Sequence, residues 1–148
     1  MTTPLQRYHE DLQREDLSHD PAQEQAVLLL QDLFDRLLAR RGGRSGGLLG
    51  WLRKLRGDVE EPEMGLYFWG GVGRGKTYLV DAFFECLPMR RKMRIHFHRF
   101  MQRIHIRLNQ LESVRDPLAV LAREWAENCS ILCLDVRYID STVPTSNL

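Results

Sequence analysis

Gly70-Gly71-Val72-Gly73-Arg74-Gly75-Lys76-Thr77 fills every fixed position of the pattern G-x-x-x-x-G-K-[ST]. The residues before it, Leu66–Trp69, read as a buried strand. Those after it, Thr77–Leu87, read as a helix with Leu79, Phe83 and Leu87 on one side and Val80 and Phe84 beside them, stopped by Pro88. Strand, glycine-rich loop and helix together form a phosphate-binding unit. The loop wraps phosphates with its own N–H groups, which requires positive φ angles and no obstructing Cβ atoms, and the helix N-terminus adds partial positive charge. In this reading Gly70, Gly71, Val72, Gly73, Arg74 and Gly75 cradle the phosphates of ATP, Lys76 reaches the β- and γ-phosphates, and Thr77 ligates Mg²⁺.

Beyond the loop, strand and helix patterns alternate, the grammar of a parallel sheet with crossover helices. Met93, Ile95 and Phe97 alternate with Arg94, His96 and His98 as a second strand, followed by a helix bearing Phe100, Ile104, Leu108 and Leu111. Asp116-Pro117 caps another helix, with Leu118, Leu121 and Trp125, and Ile131–Leu134 is a third buried strand. This last strand ends in Asp135, the position from which an acid holds the Mg²⁺ shell of a phosphate-loop site. Val136 follows. An aliphatic side chain cannot orient or deprotonate water, so binding of Mg-ATP is expected and hydrolysis by this chain is expected to be slow.

Upstream, Thr3-Pro4 and Asp20-Pro21 each open a helix, and Gln23 completes a capping-box pattern in the second. Leu5, Tyr8 and Leu12 share one face of the first helix. Ala26, Leu30, Leu33 and Leu37 line the second beside Val27, Phe34 and Leu38. Arg40 and Arg41 close that helix before the Gly42–Gly47 run, where the glycines favour a flexible linker. A short amphipathic stretch, Leu48–Arg56, reads as a linker helix on its own domain, with membrane contact the weaker alternative. Three regions result: a helical region 1–41, a flexible basic linker 42–63, and an incomplete phosphate-loop ATPase core 64–148, of α/β class.

Bulk properties narrow the function classes. The 148 residues carry a net charge of +1, with 43% hydrophobic and 28% charged residues, which fits a packed globular chain and demands no nucleic-acid or acidic-membrane partner. Apolar runs such as Ala26–Leu30 are far shorter than the roughly 20 residues that cross a bilayer. The N-terminus lacks the basic start and apolar core of a signal peptide, so export is not expected. Cys86, Cys129 and Cys133 form no C-x-x-C pair and read as reduced thiols of a cytoplasmic protein. His96 and His98 on one strand face, with His105 nearby, suggest a metal site, but Arg94, Arg99 and Arg103 oppose a cation and favour a structural or anion-facing role. Arg90-Arg91-Lys92 with Arg94, Arg99, Arg103 and Arg107 reads as a solvated basic face without the aromatic spacing of a base-stacking platform, so no nucleic-acid partner is expected.

Gly65–Thr77, followed by Arg94-Ile95-His96-Phe97-His98-Arg99-Phe100-Met101, Asp116-Pro117-Leu118 and Leu132-Cys133-Leu134-Asp135, resembles the ZapE cell-division ATPases and their mitochondrial relatives, the lactation-elevated ATPases. Thr3-Pro4, Tyr8 and Asp20–Val27 extend the resemblance to nearly everything before Asp135. It implies an AAA+-like ATPase, cytoplasmic and often membrane-associated in bacteria, acting on the division-ring protein FtsZ. After Asp135 the chain departs from the family, which continues with Glu-Phe. Here Val136–Ser141 leads into Val143–Leu148, where Asn147 matches a polar sensor position, a departure that reads as an internal deletion or a spliced gene model. No arginine finger is recognisable, and an AAA+-like core needs roughly five strands where the residues from Gly70 onward allow about three. The alternatives are a non-enzymatic division-machinery adaptor that binds a protein partner and, more weakly, a loader linked to nucleic acid.

Overall fold

A computed structural model describes residues 2–14, 19–43, 63–71 and 73–136. Val72, the linker residues 44–62 with their amphipathic stretch, and Asn147 lie outside the described residues. The chain divides into two compact units, Met1–Pro88 and Met89–Leu148, so the segment read as one ATPase core contributes to both.

In the first unit, α1 (Pro4–Leu12), α2 (Pro21–Gly43) and α3 (Lys76–Cys86) all pack on one another. The capping box lies on α1: the Thr3 hydroxyl accepts from the Gln6 N–H while the Gln6 side chain accepts from the Thr3 N–H. At α2, Asp20 Oδ1 accepts from the Ala22 N–H, but Gln23 does not return to the cap; its amide crosses to the loop before α3. The α2 helix runs two residues past the expected stop at Arg41. Its Val27, Leu30, Leu33 and Phe34 are buried together with Tyr8 of α1 and Leu79 and Phe83 of α3. Arg36 and Arg40 hold Glu63 at 2.8 and 3.5 Å, fixing the point at which the described chain resumes after the linker.

The expected strand Leu66–Trp69 does not form. Residues 63–70 have no assigned secondary structure, and Tyr67 and Trp69 are 82% and 84% exposed. A strand is a shared structure whose N–H and C=O groups need a neighbour, and the described residues pair none with it. The sequence shows an apolar run but cannot supply its partner.

The second unit holds β1 (Lys92–His96), α4 (Phe97–Gln110), α5 (Pro117–Asn128) and β2 (Ile131–Asp135). The two strands pair in parallel, with Lys92 opposite Ile131 and His96 opposite Asp135. Their C-terminal ends are therefore flush. The two helices form the crossover that parallel pairing requires. Asp116 caps α5 as expected, its carboxylate accepting from the Ala119 N–H at 3.1 Å ahead of Pro117. Ile95, Leu111, Leu121 and Cys133 form a small core, and Phe100 meets Trp125 edge-on at 5.1 Å. Leu118 and Leu132 are exposed, contrary to their expected burial, because a two-stranded sheet covers less apolar surface than a full one. Phe97 and His98 begin α4 instead of continuing β1, so His96 and His98 do not share a strand face.

Candidate nucleotide-binding site

The phosphate-loop residues lie between the irregular segment ending at Gly70 and the first turn of α3. Gly70, Gly73 and Gly75 have φ of 144°, 83° and 74°, the region that side chains with Cβ atoms rarely adopt, so the glycine spacing is used as the motif requires. Gly75 is the N-cap of α3 and has no side chain with which to cap the first-turn N–H groups. No heavy atom lies within 4 Å of an ideal Cβ at Gly70, Gly71 or Gly73, leaving open space along the loop.

Lys76 turns back across the loop. Its Nζ donates to the carbonyls of Gly70 at 2.8 Å and Gly71 at 2.5 Å. The ammonium of half-buried Lys76, the first residue of α3, is thereby tied to the backbone at the start of the loop. An ammonium, an uncapped helix start and open glycine positions suit a polyanion such as a phosphate chain, which fits the group implied by the motif. Thr77, next on α3, is half-buried.

The N-terminal helices reach the same loop and helix. Gln23 of α2 donates its Nε2 to the carbonyl of Arg74 at 3.2 Å. On α1, Asp11 is buried and accepts from the Tyr78 hydroxyl at 2.7 Å, Arg7 Nε at 3.1 Å and Arg14 Nη1 at 3.4 Å. Burial alone would raise the Asp11 carboxyl, but the hydrogen bonds from Tyr78 and Arg7 outweigh it and hold the group below the ordinary carboxylate range. Burial, reinforced by the bond to Asp11, pushes the Tyr78 phenol well above its ordinary value. The residue beside Thr77 is thus a neutral donor locked to α1.

Sequence reading missed these ties. Gln23 follows Asp20 by three residues and so mimics a cap, while Asp11 lies one turn beyond Tyr8 on the packed face of α1, where a buried acid demands a partner.

Asp135 sits in the second unit, at the C-terminal end of β2. Arg94 Nη2 lies 3.3 Å and His96 Nδ1 3.8 Å from its Oδ2, and its side chain is 12% exposed. The register brings these three residues from adjacent strand ends to one place. The expected solvated basic face is partly occupied within its own unit. Arg91 holds Ser130 Oγ and the Glu127 carbonyl, and Arg107 holds Glu124. Among the described residues no three His, Cys, Asp or Glu side chains gather as a metal cluster, and no helix is long and apolar enough to cross a membrane.

Residues 2–142 match the AFG1-like ATPase family. The chain belongs to that family. Among its AFG1-like relatives, the cell division protein ZapE of Escherichia coli strain K12 is 38% identical over 143 residues, covering 93% of this chain and 38% of ZapE. Lactation elevated protein 1 homolog B of Danio rerio is 36% identical over 85 residues, covering 50% of this chain and 17% of the relative. The AFG1-like segment described here therefore spans well under half the length of these relatives. No solved structure matches it.

Proposed function

We propose that this chain is the nucleotide-binding part of an AFG1-like ATPase and takes Mg-ATP on Gly70, Gly71, Val72, Gly73, Arg74, Gly75, Lys76 and Thr77. The observation that carries the reading is the Lys76 ammonium bonded to the Gly70 and Gly71 carbonyls, in a loop whose Gly73 and Gly75 adopt left-handed φ. Phosphate oxygens replace those carbonyls as partners of Lys76, and the first-turn N–H groups of α3 donate to the same anion. Thr77 and Asp135 are the residues to hold Mg²⁺, whose bound form neutralises phosphate charge. Arg94 orients the Asp135 carboxylate at the strand end.

Hydrolysis by this chain is slow in this reading, because exposed Val136 follows Asp135 and offers no group to activate water. The similarity to ZapE, a cell division protein, supports action in cell division, and we extend the reading to FtsZ or another division protein as partner, at a cytoplasmic site with peripheral membrane association, which is what the resemblance implies. Titration of a fluorescent ATP analogue into the parent and Lys76→Ala tests the nucleotide assignment. Affinity should fall by at least about tenfold in the variant, the scale of a lost charge-assisted hydrogen bond. Equal affinity would remove the loop as the nucleotide site and bring the adaptor reading forward.

A further inference from the structure

The Gln23 amide links α2 to a single peptide of the phosphate loop. Its Nε2 donates to the Arg74 carbonyl at 3.2 Å and lies 2.6 Å from where a Cβ on Gly75 would sit, so the carboxamide rests directly on the Gly75 α-carbon. The Arg74–Gly75 peptide is trans, like every peptide bond in the described chain. In a planar trans peptide the C=O and the following N–H point in opposite directions. Holding the Arg74 oxygen toward α2 therefore aims the Gly75 N–H away from α2. Turning this peptide over rotates ψ of Arg74 and φ of Gly75, and Gly75, already at φ 74°, has the freedom of a glycine to allow it, so the orientation needs an external anchor.

We propose that Gln23 is a positioning residue for the phosphate loop, fixing the Arg74–Gly75 peptide so that the Gly75 N–H faces the bound phosphates. The proposal rests on the nucleotide reading given above. Gln23 acts through the loop and touches no phosphate itself. Its Oε1 is shielded from solvent and has no hydrogen-bond partner among the described residues, so the donor to Arg74 is the useful half of the amide. Replacement by leucine removes that donor and also removes the stranded acceptor. Loop order and overall stability should consequently respond in different directions, which distinguishes positioning from general structural support.

The experiment compares the parent, Gln23→Leu, Gln23→Glu and, as a control, Gln25→Leu at an exposed position of the same helix. Mg-ATP and inorganic tripolyphosphate are titrated into each, the Gly75 amide resonance is recorded without ligand, and thermal midpoints are measured. Both Gln23 variants should bind ATP and tripolyphosphate about three- to tenfold more weakly, the scale of one lost hydrogen bond, with the control unchanged. The Gly75 amide should shift in both, and the midpoint of Gln23→Leu should not fall. An unmoved Gly75 amide, or unchanged tripolyphosphate affinity in the Gln23 variants, would overturn the proposal. A parent that binds neither ligand, while its Gly75 amide still responds to Gln23→Leu, would overturn the nucleotide reading and the phosphate half of this proposal, leaving only the anchor.

Discussion

Asp11 brings a carboxylate into the packing between α1 and α3, where Tyr78, Arg7 and Arg14 compensate its burial. Its folded pKa lies below that of the unfolded chain. The ionised form therefore stabilises the fold above the unfolded value of about 4, and this contribution is lost as pH falls through the folded value. Asp11→Asn should lower the thermal midpoint of the first unit at pH 7, and the gap to the parent should close as pH falls below the unfolded value and through the lowered folded one. Melting curves across that range check this; a gap that stays constant with pH would assign the effect to packing instead of charge. At this scale sequence was most informative about the loop, where Lys76 and the glycines occupy fixed positions with a fixed chemical purpose. It was least informative about Gln23, Asp11 and Tyr78, whose partners lie 51 and 67 residues away and leave no local periodicity.

Helix signals were legible because caps and apolar stripes are local. Asp116-Pro117 both predicted and produced the start of α5, and Asp116→Ala should destabilise the second unit by about 1 kcal/mol, measured by urea unfolding followed through Trp125. An unchanged midpoint would show that the crossover does not depend on its cap. Strands were less legible. Ile131–Asp135 paired because Lys92–His96 lies beside it in register, whereas Leu66–Trp69, equally apolar, found no partner among the described residues. Periodicity registers which side chains prefer burial, while strand formation also depends on a neighbour's backbone. The same limit misplaced His98: the alternation from Met93 to His98 carries on through Phe97, but the backbone has already turned into α4.

For the whole molecule, family membership and the two-unit organisation set the central question, because the phosphate loop belongs to the first unit and Asp135 to the second. Val136, which offers no group to activate water, follows Asp135. Purified chain should therefore turn over ATP slowly, with any residual activity sensitive to Lys76→Ala. Fast, Lys76-dependent turnover would show that another group activates water. The central proposal is that Thr77 and Asp135 both hold the Mg²⁺ that accompanies the nucleotide. Manganese, a paramagnetic substitute for Mg²⁺, tests it directly when added at substoichiometric amounts to the ATP-loaded chain while backbone amide signals are followed. The signals of Gly75, Lys76, Thr77 and Asp135 should broaden together, and all should recover when ATP is omitted. Broadening at the loop without Asp135, or at Asp135 regardless of ATP, would contradict a shared metal–nucleotide site.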